Sequence, residues 1–159
     1  MVSFRIVAVV ALLSACSSAT QQSRSSDGRP TGAAAPRLAV EQFLKGAKDT
    51  DIQAMSNVFG TKSGPARETM DRTELEKRQV ILACFFTHDS FRILDEEPGV
   101  GGHRDIRVEL KKGNVTRQPT FYVIQGPAQR WYVSNMDIAA VRDFCGNPDP
   151  NAKPPARSQ

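Results

Sequence analysis

The segment RTELEKRQVILACFFTHDSFRIL, residues 72–94, changes its hydrophobic period part-way along. Leu75, Leu82, Phe85 and Phe86 recur at helical spacing, Val80 and Ile81 widen their stripe, and Asp71 with Glu74 forms a capping-box-like start. A long, deeply packed helix from Arg72 to about Phe86 is predicted. After His88 the period falls to two. Phe91-Arg92-Ile93-Leu94 starts a strand that ends at the acidic turn Glu96-Glu97-Pro98-Gly99. Residues 72–94 therefore join a helical half to a sheet half.

Working outward towards the C-terminus, Ile106, Val108 and Leu110 alternate with Arg107 and Glu109, the pattern of a strand wet on one face. Lys112-Gly113-Asn114 is a turn, and Val115 to Ile124 is a further strand broken or edged by Pro119. Gly126-Pro127 turns the chain into a last strand, Trp131 to Met136, and Ile138 to Phe144 can form a closing helix. Towards the N-terminus, Val40, Phe43, Leu44 and Ala47 form one helical stripe that Pro36 can open. Lys48-Asp49-Thr50-Asp51 interrupts it and caps a second helix carrying Ile52, Met55 and Phe59, which Gly60 stops. Thr61 to Met70 reads as a loop. Three helices followed by an antiparallel meander of about four strands make an α+β fold, with helices against one face of a curved sheet and a short C-terminal helix.

The rest of the 159 residues falls into a leader at 1–15, a flexible tether at 16–35 and a Pro-rich tail at 146–159, leaving one domain at 36–145. That size excludes two sizeable lobes or a repeat array, and no apolar run approaches the roughly 20 residues of a membrane-spanning helix. The chain's net charge of +4 lies mostly in the ends. The domain has 16 Lys and Arg against 15 Asp and Glu, a net of +1, with acids and bases interleaved. Nucleic acid is therefore not an expected partner.

Arg5 and the run Ile6 to Leu13 make a secretory signal peptide. Leu13-Ser14-Ala15-Cys16 resembles the lipobox of bacterial lipoproteins. The resemblance implies a diacylglycerol group on the Cys16 thiol and acyl chains such as palmitate holding the protein on a membrane. The competing reading is an ordinary signal peptide cut after Ala15 or Ala19. Ser17, in place of the Asp that resembles an inner-membrane retention signal, implies an outer-membrane site facing the periplasm, or the cell membrane if the host has only one. Cys84 and Cys145 remain as an even pair in an exported domain and are expected to bridge, the alternative being two separate buried thiols.

The stretches VEQFLKGAKDTDIQAMSNVFG, residues 40–60, and RWYVSNMDI, residues 130–138, resemble in their order the NTF2-like superfamily. That resemblance implies a cone in which a bent sheet wraps a long helix and leaves a pocket at its open end. The chain departs from the family in lacking a clear short strand between the second and third helices. The superfamily contains isomerases, cyclases, dehydratases and many binding modules, so the shape alone selects no activity.

His88-Asp89 is the best acid/base pair in the domain, since a His beside a carboxylate can act as a general base. Its bland reading is a helix C-terminus followed by a turn. Tyr122, Tyr132 and Asp137 could supply ionisable groups to a cone; the bland alternatives are sheet-rim hydroxyls and, for Asp137, the cap of the closing helix. His103 reads as solvated. No cofactor or metal motif is present. The sequence favours a non-catalytic envelope binding or scaffolding module, with an envelope protein or a small apolar ligand as partner. The alternative is an isomerase- or dehydratase-type enzyme.

Overall fold

The computed structural model describes residues 30–146. The leader, Cys16, most of the tether and the tail from residue 147 lie outside the described residues. Helix α1, Pro36–Asp49, buries Ala39, Val40, Phe43, Leu44 and Ala47 as a single stripe. It ends where Thr50 takes a left-handed conformation and its N–H meets the Ala47 carbonyl. Asp51 then caps α2, Ile52–Val58, accepting from the Ala54 N–H at 2.9 Å. The two helices approach closely at Gly46, where an added Cβ would lie 2.8 Å from Met55 Cγ. Helix α4, Arg72–Phe86, is capped in the same way by Asp71, whose carboxylate accepts from Glu74 N at 3.0 Å.

Residues 61–70, expected as a loop, are folded. A hairpin of β1, Gly60–Thr61, and β2, Gly64–Pro65, leads into a single turn, α3, Ala66–Thr69. Strands of two residues carry no alternation to read.

The main sheet is antiparallel and contains β3, Ser90–Pro98; β4, His103–Lys112; β5, Val115–Arg117; β6, Thr120–Gln125; and β7, Trp131–Met136. It has one strand more than expected, because Pro119 divides the segment from Val115 into two pieces. The first pairs with the C-terminal half of β4 and the second with its N-terminal half. The order is β3-β4-β6-β7, with irregular register at Ile93/Asp95 and Tyr122/Val123. Ile106, Val108, Leu110, Phe121, Val123 and Val133 point towards the helices and are buried. Phe43 stands at the centre of an aromatic cluster, with ring centroids 6.5, 6.1 and 6.0 Å from Phe59, Phe86 and Phe121.

Four further details differ from the sequence reading. Val80 and Ile81, expected to widen the buried stripe of α4, are 57% and 56% exposed. Phe85 is only partly buried, and the buried face of α4 is Leu75, Gln79, Leu82, Ala83 and Phe86. The closing segment Ala139–Phe144 is a 3-10 turn kinked at Val141 rather than a regular helix. The chain also packs before Pro36: Ala33 exchanges two backbone hydrogen bonds with Trp131, at 2.8 and 2.9 Å, and the Arg130 guanidinium donates to the Thr31 and Gly32 carbonyls. Such main-chain pairing needs no apolar pattern, so residues 31–33 read as tether.

Cys84 and Cys145 form a disulfide with Cα atoms 5.1 Å apart, tying the end of α4 to the end of the closing turn. Among the described residues no helix is long and apolar enough to cross a membrane.

Candidate functional site

Helix α4 and strand β7 lie side by side without closing on each other. Between them runs a solvent-open cleft of about 370 Å³. Its floor is Phe59, Leu82 and Met136, all buried or nearly so, and its rim carries Ile81 and the 36% exposed Ile138. Glu74, Lys77 and Arg78 line the part nearer the start of α4, while Ser134 and Asn135 contribute from β7. Residues 74, 77, 78, 81 and 82 share one helical face by their spacing, so the cleft runs along α4 from a charged end to an apolar end.

The β7 edge beside this cleft is largely occupied. Ala33 pairs with Trp131, Phe59 bridges Val133, and the Met136 N–H is taken by Asn135 Oδ1 at 2.9 Å. Asp137 N–H turns inward to the Thr120 carbonyl.

A second cleft lies across the sheet. Asp105, Tyr122 and Asn135 are direct cross-strand neighbours and line it together with Val100 and His103. The His103 ring bonds the Val100 carbonyl through Nδ1 at 2.8 Å and Ser134 Oγ through Nε2 at 3.1 Å, and Ser134 Oγ reaches the Tyr122 carbonyl at 2.9 Å. Asp105 Oδ1 is buried without a hydrogen-bond partner among the described residues and presses against Gly99, where an added Cβ would meet it at 2.1 Å. Tyr122 and His103 of this group are legible in the sequence, but His103, expected to be solvated, is half-buried with both ring nitrogens hydrogen-bonded. Asp105 and Asn135 are brought to Tyr122 by sheet register, and Ser134 by the β6–β7 irregularity.

The remaining sequence candidates are dispersed. His88 is in the core, with Nδ1 donating to the Phe86 carbonyl at 2.7 Å and its ring edge-on to Phe91. Burial lowers its pKa below the ordinary value, and the bond to the Phe86 carbonyl opposes that shift. Asp89 is exposed and points elsewhere: its carboxylate accepts from Gly113 N at 2.7 Å and its carbonyl from Lys48 Nζ at 2.7 Å. The two adjacent side chains thus serve separate contacts. Tyr132 is buried with its hydroxyl 3.3 Å from Thr31 Oγ1, and Asp137 Oδ1 accepts from Ala140 N at 3.2 Å at the start of the closing turn. Among the described residues no cluster of three His, Cys, Asp or Glu could hold a metal ion.

No family model, curated protein or solved structure matches the chain.

Proposed function

We propose that this chain is a bacterial envelope lipoprotein, anchored through Cys16, whose domain acts by binding rather than by catalysis. The observation that carries the binding half is the α4–β7 cleft, a solvent-open trough floored by Phe59, Leu82 and Met136 with Ile81 and Ile138 at its rim. The lipobox residues Leu13 to Cys16 support the anchor, and the Cys84–Cys145 bridge fits an oxidising compartment. Helices on one face of a curved antiparallel sheet agree with the NTF2-like resemblance, which we retain as the reading of the fold's ancestry.

The alternative, an isomerase or dehydratase working inside a cone, needs an interior chamber with convergent polar groups. The space between helices and sheet is instead filled by Phe43, Phe86 and Phe121. His88, the titratable group with a lowered pKa, does not line the α4–β7 cleft.

Two measurements test the proposal. Cys16→Ser should move the protein out of the detergent phase, and unchanged partitioning would overturn the anchor. A photo-crosslinking residue at Ile138 should capture an occupant in intact envelopes while the same residue at Lys111, on another part of the surface, does not. Absence of any adduct at Ile138 would overturn the binding reading.

A further inference from the structure

We infer that the α4–β7 cleft takes a single unbranched apolar chain ending in an anionic group, a fatty carboxylate or one acyl chain of an acidic phospholipid. The inference rests on the reading of that cleft as the domain's binding site.

Charge is the first argument. Arg37, Arg72, Arg92, Arg104, Arg107 and Arg117 are each paired with a carboxylate on the surface. Lys77 and Arg78 have no ion pair or side-chain hydrogen bond among the described residues, a condition they share with Lys45, Lys62, Lys111 and Arg142, but these two alone line the cleft beside its apolar floor. One carboxylate, Glu74, faces the same space, so the charged end is cationic by one. Two cations beside an apolar trough complement a ligand with one anionic head.

Order along the helix is the second argument. Lys77 and Arg78 precede Ile81 and Leu82 by one turn on the same face, and Met136 and Ile138 add apolar lining from the opposite wall. Charge at one end and hydrocarbon at the other is the sequence of groups in an amphiphile. The volume of about 370 Å³ is at the low end for ligand sites, which suits a slender chain rather than a fused ring system.

Two other occupants fit less well. A peptide adding as a strand needs a row of free main-chain groups, and on β7 Ala33, Phe59 and the Asn135 side chain cover most of that row. A flat bilayer surface would touch only rim residues such as Ile81, leaving Phe59, Leu82 and Met136 below it without contact.

The test uses the whole chain carrying Cys16→Ser, so that no acyl group of its own competes, titrated calorimetrically with octanoate, decanoate and dodecanoate. Affinity should rise about fourfold per added methylene until the trough is full. Dodecanoate should bind about tenfold more tightly than dodecanol, a preference lost in Lys77→Gln/Arg78→Gln, and Ile81→Asp should remove binding while the melting temperature holds. A phosphatidylglycerol vesicle arm separates the sources. Binding to dispersed dodecanoate identifies a free carboxylate, whereas extraction of phosphatidylglycerol from the vesicle into a soluble complex identifies a membrane lipid; either supports the inference, and vesicle binding without extraction counts against it. No binding in any arm, or equal affinity for dodecanol and dodecanoate, overturns it. If the crosslinker at Ile138 captures a protein segment and no lipid, the amphiphile is wrong and the binding cleft stands. If it captures nothing, both fall.

Discussion

Helices α1 and α4 are nearly equal in length, 14 and 15 residues, yet they use their apolar residues in opposite ways. Val40, Phe43, Leu44 and Ala47 of α1 fall on one stripe, and all are buried. The apolar residues of α4 lie around most of its circumference: Leu75, Leu82 and Phe86 face the core, Val80 and Ile81 face water, and Gln79 takes a central buried position. A helix committed only to the core needs one apolar face. Val80 and Ile81 give α4 apolar side chains outside the core that α1 does not have, and Ile81 stands on the cleft with Lys77 and Arg78.

Truncating the α1 stripe tests this contrast most severely. Phe43→Ala removes the hub of the aromatic cluster and should cost about 5 kcal/mol in a denaturant titration, at the upper end for a buried Phe. Next in size is the staple that only α4 carries. Opening the Cys84–Cys145 bridge with Cys84→Ser frees a loop of 61 residues in the unfolded chain and should cost on the order of 4 kcal/mol, read as a fall in melting temperature under non-reducing conditions.

A change of opposite sign is expected inside α4. Both amide atoms of Gln79 are buried without a partner among the described residues, so Gln79→Met should raise stability by about 1 to 2 kcal/mol. If Gln79→Met is destabilising, the amide is satisfied in solution and the buried face of α4 is more polar than described.

A smaller effect belongs to His88, just beyond the end of the helix. Its pKa is lowered in the folded state, so below about pH 6.5 the unfolded chain binds the extra proton more readily. Stability should be full above that pH and decline as pH falls through it, and His88→Leu should flatten the decline in a melting-temperature profile. The smallest effect is Ile81→Glu, within about 0.5 kcal/mol of the parent because the residue is exposed. A loss of several kcal/mol there would mean that Ile81 belongs to the core, and the contrast between the helices would disappear.

The elements with a local chemical signature were legible from sequence. Asp51 and Asp71 cap the helices they were read to begin, Ile106, Val108 and Leu110 face inward as their alternation predicts, and Pro119 breaks its strand. The pairing of Cys84 with Cys145 followed from counting. The cleft was not legible, since Val80 and Ile81 are as apolar as Leu82 and only packing distinguishes them. The His103–Ser134 contact joins residues 31 positions apart through sheet register and a strand irregularity, and neither has a local sequence pattern. His88 and Asp89 were read as a pair because they adjoin in sequence, but the backbone turns them towards different partners.

The packed residues ahead of α1 have a mechanical consequence. Tension arriving along the chain from the N-terminal side meets the Arg130 grip on Thr31 and Gly32, the bond from Gly32 N–H to the Asn57 carbonyl of α2, and the Ala33–Trp131 bonds before it reaches α1. Load entering there is shared between α2 and the β7 side of the sheet. Because β7 also forms one wall of the cleft, a displacement of residues 31–33 and a change in the width of the cleft act on a shared piece of backbone.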